Sequence, residues 1–215
     1  MVDSFVEASH GDGGEFALRC QQNPPRCQMA SQKPATREIG ILATPALKIR
    51  DMMVIIIFGL PGTGKSYFAR HLSQEIDAVY LSTDEVRLHM KKQGRYDEED
   101  KQLVYDRLEE MMSEHLKKGE NVIIDGTFHE KRRRDQFNGK ARELGQPVFF
   151  IEMQSREETV KERVEQKREY SEADYSVYKM ILNRFEPLEI PHLQLESDRD
   201  ALEAMTEQAR HYIYG

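Results

Sequence analysis

Val54-Ile55-Ile56-Ile57-Phe58-Gly59-Leu60-Pro61-Gly62-Thr63-Gly64-Lys65-Ser66 is the stretch on which the reading of this chain turns. Its first five residues form an unbroken apolar run of strand length, the pattern of a strand buried on both faces. The next eight match G-x-x-x-x-G-K-[ST] without error, and residues 65–75 read as a helix. Strand, glycine loop and helix in that order are the context that gives the motif its meaning. Gly62 and Gly64 let the backbone turn its N–H groups inward as an anion nest, and the following helix points its positive end the same way. Lys65 adds a point charge for β- and γ-phosphates, and the Ser66 hydroxyl is a ligand for Mg2+. The stretch therefore predicts a site for the phosphates of a nucleoside triphosphate, with ATP as the cofactor. It is built from Gly59, Pro61, Gly62, Thr63, Gly64, Lys65, Ser66 and Tyr67.

Working outward, strands and helices alternate. Residues 78–81 read as a second strand and 84–92 as a short helix. Val104, Leu108, Met111 and Met112 recur at helical spacing, which predicts a helix over 97–118 closed by Gly119. A strand over 121–124, a helix over 130–144 and a strand over 148–153 follow. Two charged helices, 156–169 and 173–185, come next, then a fifth strand over 192–195 and a helix over 201–212. Such alternation predicts an α/β fold of three layers, a mostly parallel five-stranded sheet with helices on both faces. Ligands of such sheets sit at the carboxyl ends of the strands.

Residues 1–51 differ in character. Glycines and prolines from Gly11 to Pro45 interrupt every period, and Gln and Ser fill the gaps, so this part is expected to be a disordered extension before a domain at 52–215. Met52 and Met53 stand directly before the first strand. The whole chain has 215 residues, 39% hydrophobic and 32% charged, with a formal net charge of -7. That balance excludes a broad basic face for nucleic acid, though not a local basic cleft. No run approaches the roughly 18 apolar residues of a membrane span, and the first residues lack the basic start and apolar core of a secretory signal. Cys20 and Cys27, with only His10 nearby, suit neither a disulfide framework nor a zinc finger. A cytoplasmic setting without membrane or partner protein is expected.

The other strand ends carry candidate chemistry. Asp84 and Arg87 are three apart and share a helix face. Asp84 is placed to accept a substrate proton and Arg87 to grip an anion. Ser82 with Glu85 also reads as a capping box, in which Asp84 is only a favourable first-turn acid. Asp125 ends an apolar strand, positioned either for the magnesium shell or, with Thr127, for the substrate; Thr127 with Glu130 reads as a second capping box. In Lys131-Arg132-Arg133-Arg134, Phe137, Ala141 and Leu144 define the buried face, so most of the run is expected to be solvated and one of Arg133 and Arg134 to reach the crevice. Arg163, between Val160 and Val164, is the charge of residues 156–169 expected to project inward from a small helical lid. His115 and the methionines beside it read as core.

With these pieces together, residues 53–198 resemble the P-loop kinase-like ATPases that include polynucleotide kinase, adenylylsulfate kinase, gluconate kinase and zeta toxin. The resemblance rests on Gly59–Ser66, Asp84-x-x-Arg87, Ile124-Asp125-Gly126-Thr127 and the Arg163 region. It implies that Asp84 is the base on an acceptor hydroxyl and that Arg87 holds an acceptor phosphate. The expected activity is transfer of the γ-phosphoryl of ATP to a hydroxyl of a small molecule, a nucleotide or a nucleic-acid 5′ end, with Lys65, Asp84 and Arg163 catalytic. A plain NTP hydrolase or a non-catalytic nucleotide-binding switch module is the alternative.

Overall fold

The computed structural model describes residues 52–165 and 174–215. The expectation of disorder over 1–51, with Cys20, Cys27 and His10, lies outside the described residues. So does the part of the first charged helix beyond Glu165. The elements run β1 (Val54–Phe58), α1 (Lys65–Glu75), β2 (Ala78–Ser82), α2 (Thr83–His89), α3 (Glu98–Lys117), β3 (Asn121–Asp125), α4 (Lys131–Glu143), β4 (Val148–Gln154), α5 (Glu157–Glu165), α6 (Tyr175–Leu182), β5 (Leu193–Glu196) and α7 (Leu202–Tyr214). The five strands lie in the order β2-β3-β1-β4-β5, and every neighbouring pair is parallel.

β1 is the central strand, fully buried along its length. Its side chains alternate between two cores, as the pleat requires. Val54, Ile56 and Phe58 pack with residues of α3 and α4, including Leu108, Met112 and Phe137. Ile55 and Ile57 pack with Phe68 and Leu72 of α1 and with Met205 and Ala209 of α7. Each of the larger side chains among these contributes about 1.5–3 kcal/mol by leaving water. The result is a helix–sheet–helix sandwich with the carboxyl ends of β1, β2 and β3 level with one another: Ile57 pairs with Asp125, and Ser82 pairs with Asp125 from the other side. None of the described helices is long and apolar enough to cross a membrane.

Several element ends differ from the sequence reading. α2 stops at His89 rather than at 92, because Lys91 takes a left-handed φ of 55°. α6 stops at Leu182 rather than at 185. There the chain tightens into three-residue turns, Arg184 N–H to Ile181 O at 2.9 Å and Phe185 N–H to Leu182 O at 3.3 Å. That unwinding sends the Phe185 ring onto Phe58, stacked at 6.3 Å.

Candidate active site

The glycine loop joins β1 to α1 and folds around one carbonyl. Leu60 O accepts from the Thr63 hydroxyl at 2.8 Å and from Lys65 Nζ at 2.7 Å. Lys65 is thereby held folded over the loop and largely buried. Two glycines are sterically required. A Cβ at Gly59 would run into the Met153 carbonyl of β4. Gly62 has a φ of +83°, and a Cβ there would lie 2.8 Å from Val160 and 2.9 Å from Val164 of α5. Helix α5 therefore packs directly on the loop. Its Arg163 spans the contact: Nη1 donates to Gly62 O at 3.4 Å and to Ser197 Oγ at 2.8 Å, and Nη2 donates to Ser197 O at 3.1 Å.

In front of the loop lies a cavity of about 860 Å³. Pro61, Gly62, Gly64, Lys65, Ser66 and Tyr67 line it, with Tyr67 69% exposed. Gly59 and Thr63 stand behind this wall, the first against β4 and the second with its hydroxyl turned to Leu60. Asp84, Arg87, Asp125, Thr127 and Arg163 line the same cavity, so the predicted residues converge on one space. Tyr80, Tyr96, Lys101 and His129 share it. None of these four carries a local motif, so no spacing in the sequence pointed to them. Burial holds the His129 imidazole below its usual pKa.

Asp125 is only 2% exposed. Its Oδ2 accepts from the Tyr80 hydroxyl at 2.8 Å, whereas Oδ1 is buried without a hydrogen-bond partner among the described residues. Burial raises its pKa, against the opposing pull of the Lys65 charge and of the Ser66 and Tyr80 hydroxyls. The Tyr80 hydroxyl is itself pushed up by burial and then by Asp125, so it stays a donor. Arg87 is 8% exposed; Nη1 donates to Arg95 O at 2.7 Å and the guanidinium lies 4.6 Å from the Tyr96 ring centroid. Its Nε finds no partner among the described residues.

The caps depart from expectation. Ser82 is the N-cap of α2, but its hydroxyl accepts from Asp84 N–H at 3.2 Å, and Glu85 pairs with Arg70 instead of closing a box. Thr127 and Glu130 form no box: Glu130 is itself the N-cap of α4 and caps through no side-chain bond. The tight turn at Phe128, with φ of 43°, carries Thr127 away from the helix start. Arg133 and Arg134 are both buried, contrary to a solvated run, and neither lines the cavity. Arg133 Nη1 donates to Gln102 at 2.5 Å over the Tyr105 ring. Arg134 donates to the carbonyls of Phe128 at 2.6 Å, Glu186 at 2.6 Å and Pro187 at 3.2 Å. Backbone carbonyls left over by the turn at Phe128 and by the chain after α6 draw the Arg134 head inward, and the Gln102 side chain and the Tyr105 ring take that of Arg133.

Comparison with known proteins agrees with this architecture. The sequence model of the AAA domain family matches residues 54–188. Uncharacterized proteins of Mycobacterium bovis and Mycobacterium tuberculosis are each 29% identical over 106 residues, a match covering 44% of this chain and 21% of theirs. The chain thus spans about a fifth of the length of the curated relatives it matches. Among solved structures, the fold superposes on an APS kinase of Mycobacterium tuberculosis in complex with AMPPNP and APS (TM-score 0.61, 16% identity, 77% of this chain and 99% of that one). A sugar kinase of Janibacter sp. HTCC2649 gives TM-score 0.59 at 20% identity, covering 75% and 94%. A gluconokinase of Sinorhizobium meliloti 1021 gives 0.58 at 16%, covering 76% and 95%.

Proposed function

Since the chain belongs to the AAA domain family, with a P-loop kinase-like fold, we propose that it is an ATP-dependent kinase acting on a hydroxyl. The acceptor is a small molecule, a nucleotide or a nucleic-acid 5′ end. One observation carries this reading: the cavity does not end at the phosphate loop but continues to Asp84, Arg87 and Thr127. A loop that only stored nucleotide, or passed its phosphate to water, needs no walled space beyond the γ-phosphate. The volume falls in the range of ligand pockets, about 300–1,000 Å³.

In the transfer, the acceptor oxygen forms its bond to the γ-phosphorus in line as the bond to the β–γ bridging oxygen breaks, and ADP leaves. The acceptor proton passes to the Asp84 carboxylate and from there to water. No covalent enzyme intermediate is needed. Lys65 and the loop N–H groups hold the phosphate oxygens, and Arg163 adds charge from the wall it shares with Gly62. The unpartnered Nε of Arg87 supports an acceptor bearing an anionic group.

The residues present fit a magnesium ion. Asp125 Oδ1 is buried and unpartnered, and the Ser66 hydroxyl lies beside the same carboxylate. An ion held by one or two side chains together with substrate phosphates is the usual arrangement for magnesium at such sites. When bound, magnesium supplies neutralisation of charge on the β- and γ-oxygens.

The test is label transfer from γ-labelled ATP to a panel of neutral polyols, phosphorylated sugars, nucleotides and 5′-hydroxyl oligonucleotides. Acceptor-dependent transfer favouring anionic acceptors is expected. Turnover independent of any acceptor would make the protein a hydrolase, and binding without turnover would make it a switch module. Transfer to neutral polyols alone would remove Arg87 from the acceptor site.

A further inference from the structure

The Asp125 carboxylate is held from the side by a residue that no local motif announces. Tyr80 lies on β2 two residues before Ser82, and Ser82 is the register partner of Asp125. Alternation along a strand puts Tyr80 and Ser82 on one face. The Tyr80 ring therefore lies alongside the end of β3, and its hydroxyl donates to Asp125 Oδ2 at 2.8 Å. The ring is fixed in turn. Arg70 of α1 stacks its guanidinium 4.5 Å from the ring centroid and pairs with Glu85 of α2 at 2.5 Å. Residues of α1, α2 and β2 thus converge on one hydroxyl–carboxylate bond at the end of β3. The other carboxylate oxygen, Oδ1, is buried and has no hydrogen-bond partner among the described residues. With Oδ2 engaged by the Tyr80 hydroxyl, Oδ1 is the oxygen left with its full acceptor capacity for a further partner.

We propose that Tyr80 is the positioning residue of Asp125, tying Oδ2 so that Oδ1 is aimed at the magnesium shell of the bound nucleotide. This rests on reading Asp125 as part of that shell. Outer partners of metal-binding groups change metal affinity by roughly 10–100-fold when removed.

The experiment uses the full chain and the variant Tyr80→Phe, which keeps the ring and its stack on Arg70 and removes only the hydroxyl. Binding of a non-hydrolysable ATP analogue is titrated calorimetrically across a magnesium series and in EDTA, and Mn2+ at the site is followed by electron paramagnetic resonance. The metal concentration for half-maximal nucleotide binding is expected to rise roughly 10-fold or more. Affinity in EDTA is expected to match that of the parent chain. Asp125→Asn should shift the same quantity, and the double variant should shift it no further than Asp125→Asn alone, because the two residues act through one carboxylate. Should Tyr80→Phe not fold, Arg70→Gln carries the test. Loss of the arginine charge by itself would strengthen cation binding, so a higher metal concentration for half-maximal nucleotide binding in that variant reports the released ring, and an unchanged or lower one overturns the assignment.

An unshifted Tyr80→Phe beside a shifted Asp125→Asn overturns the Tyr80 assignment alone. An unshifted Asp125→Asn overturns both it and the magnesium reading of Asp125. Equal loss of affinity with and without metal would make Tyr80 a structural residue and also overturns the proposal.

Discussion

Lys65 has two partners to serve. Its ammonium donates to the Leu60 carbonyl at 2.7 Å, and as a member of the phosphate loop it is expected to meet the β- and γ-phosphates. Lys65→Ala is expected to lower turnover by roughly 10²–10³-fold, as loss of a charge-stabilising donor does, and to weaken ATP binding while the fold persists. Calorimetry beside a circular dichroism melt checks this. Asp84 lies in the first turn of α2, so both readings of it, base and first-turn acid, keep the same position. The hydroxyl of Ser82 caps α2, and Asp84 lines the cavity together with the loop. Asp84→Asn should cost only about 0.3–1 kcal/mol of stability through the helix dipole. Acceptor-dependent turnover should fall by roughly 10²–10⁴-fold with ATP affinity little changed. Arg87→Ala should act on the acceptor instead, raising KM where the contact is equal in ground and transition states. Steady-state kinetics on both variants decides it, and full turnover in Asp84→Asn would reduce that residue to a first-turn acid.

At the scale of elements, α4 shows how a charged run divides. Arg132 is exposed and paired with Glu98 and Glu130, two contacts of the kind worth little in water. Arg134, two residues on, is 1% exposed and joins three segments: the turn at Phe128, the start of α4, and the chain at Glu186 and Pro187 that follows α6. Its guanidinium also lies 5.6 Å from the Phe58 ring centroid. Burial lowers its pKa, yet arginine stays charged, so the carbonyls it meets are part of its folded state. Arg134→Met keeps the apolar stem and strands the Phe128 carbonyl, at a cost of about 1–3 kcal/mol for that group alone. Arg132→Ala should stay within about 0.5 kcal/mol of the parent chain. Urea unfolding of the two variants side by side is the measurement. Equal stability would show that the three carbonyls are satisfied without Arg134. The pair also explains a failure of sequence reading: consecutive helical positions point in different directions, and amphipathic spacing identified Phe137 and Ala141, but it could not tell which arginines would find backbone acceptors from another part of the chain.

For the whole molecule, both cores are assembled among the described residues from Met52 onward. A fragment 52–215 is accordingly expected to unfold in one cooperative transition and to bind ATP as the full chain does. Loss of either property would assign residues 1–51 a part in the fold or the site. The architecture itself was legible without coordinates. A buried strand, a glycine loop and a helix form a local unit whose period, turn chemistry and charge all agree, and alternation of strands with helices leaves a parallel sheet as the arrangement that satisfies the backbone. So the phosphate loop, the five strands and the three layers follow from contacts near in sequence. Tyr80 beside Asp125, Arg163 bridging Gly62 and Ser197, and Arg134 gathering carbonyls from residues 128, 186 and 187 do not. Each depends on strand register or on how a helix is rotated against the sheet. Those quantities are set by packing between distant segments, and no pattern along one segment encodes them.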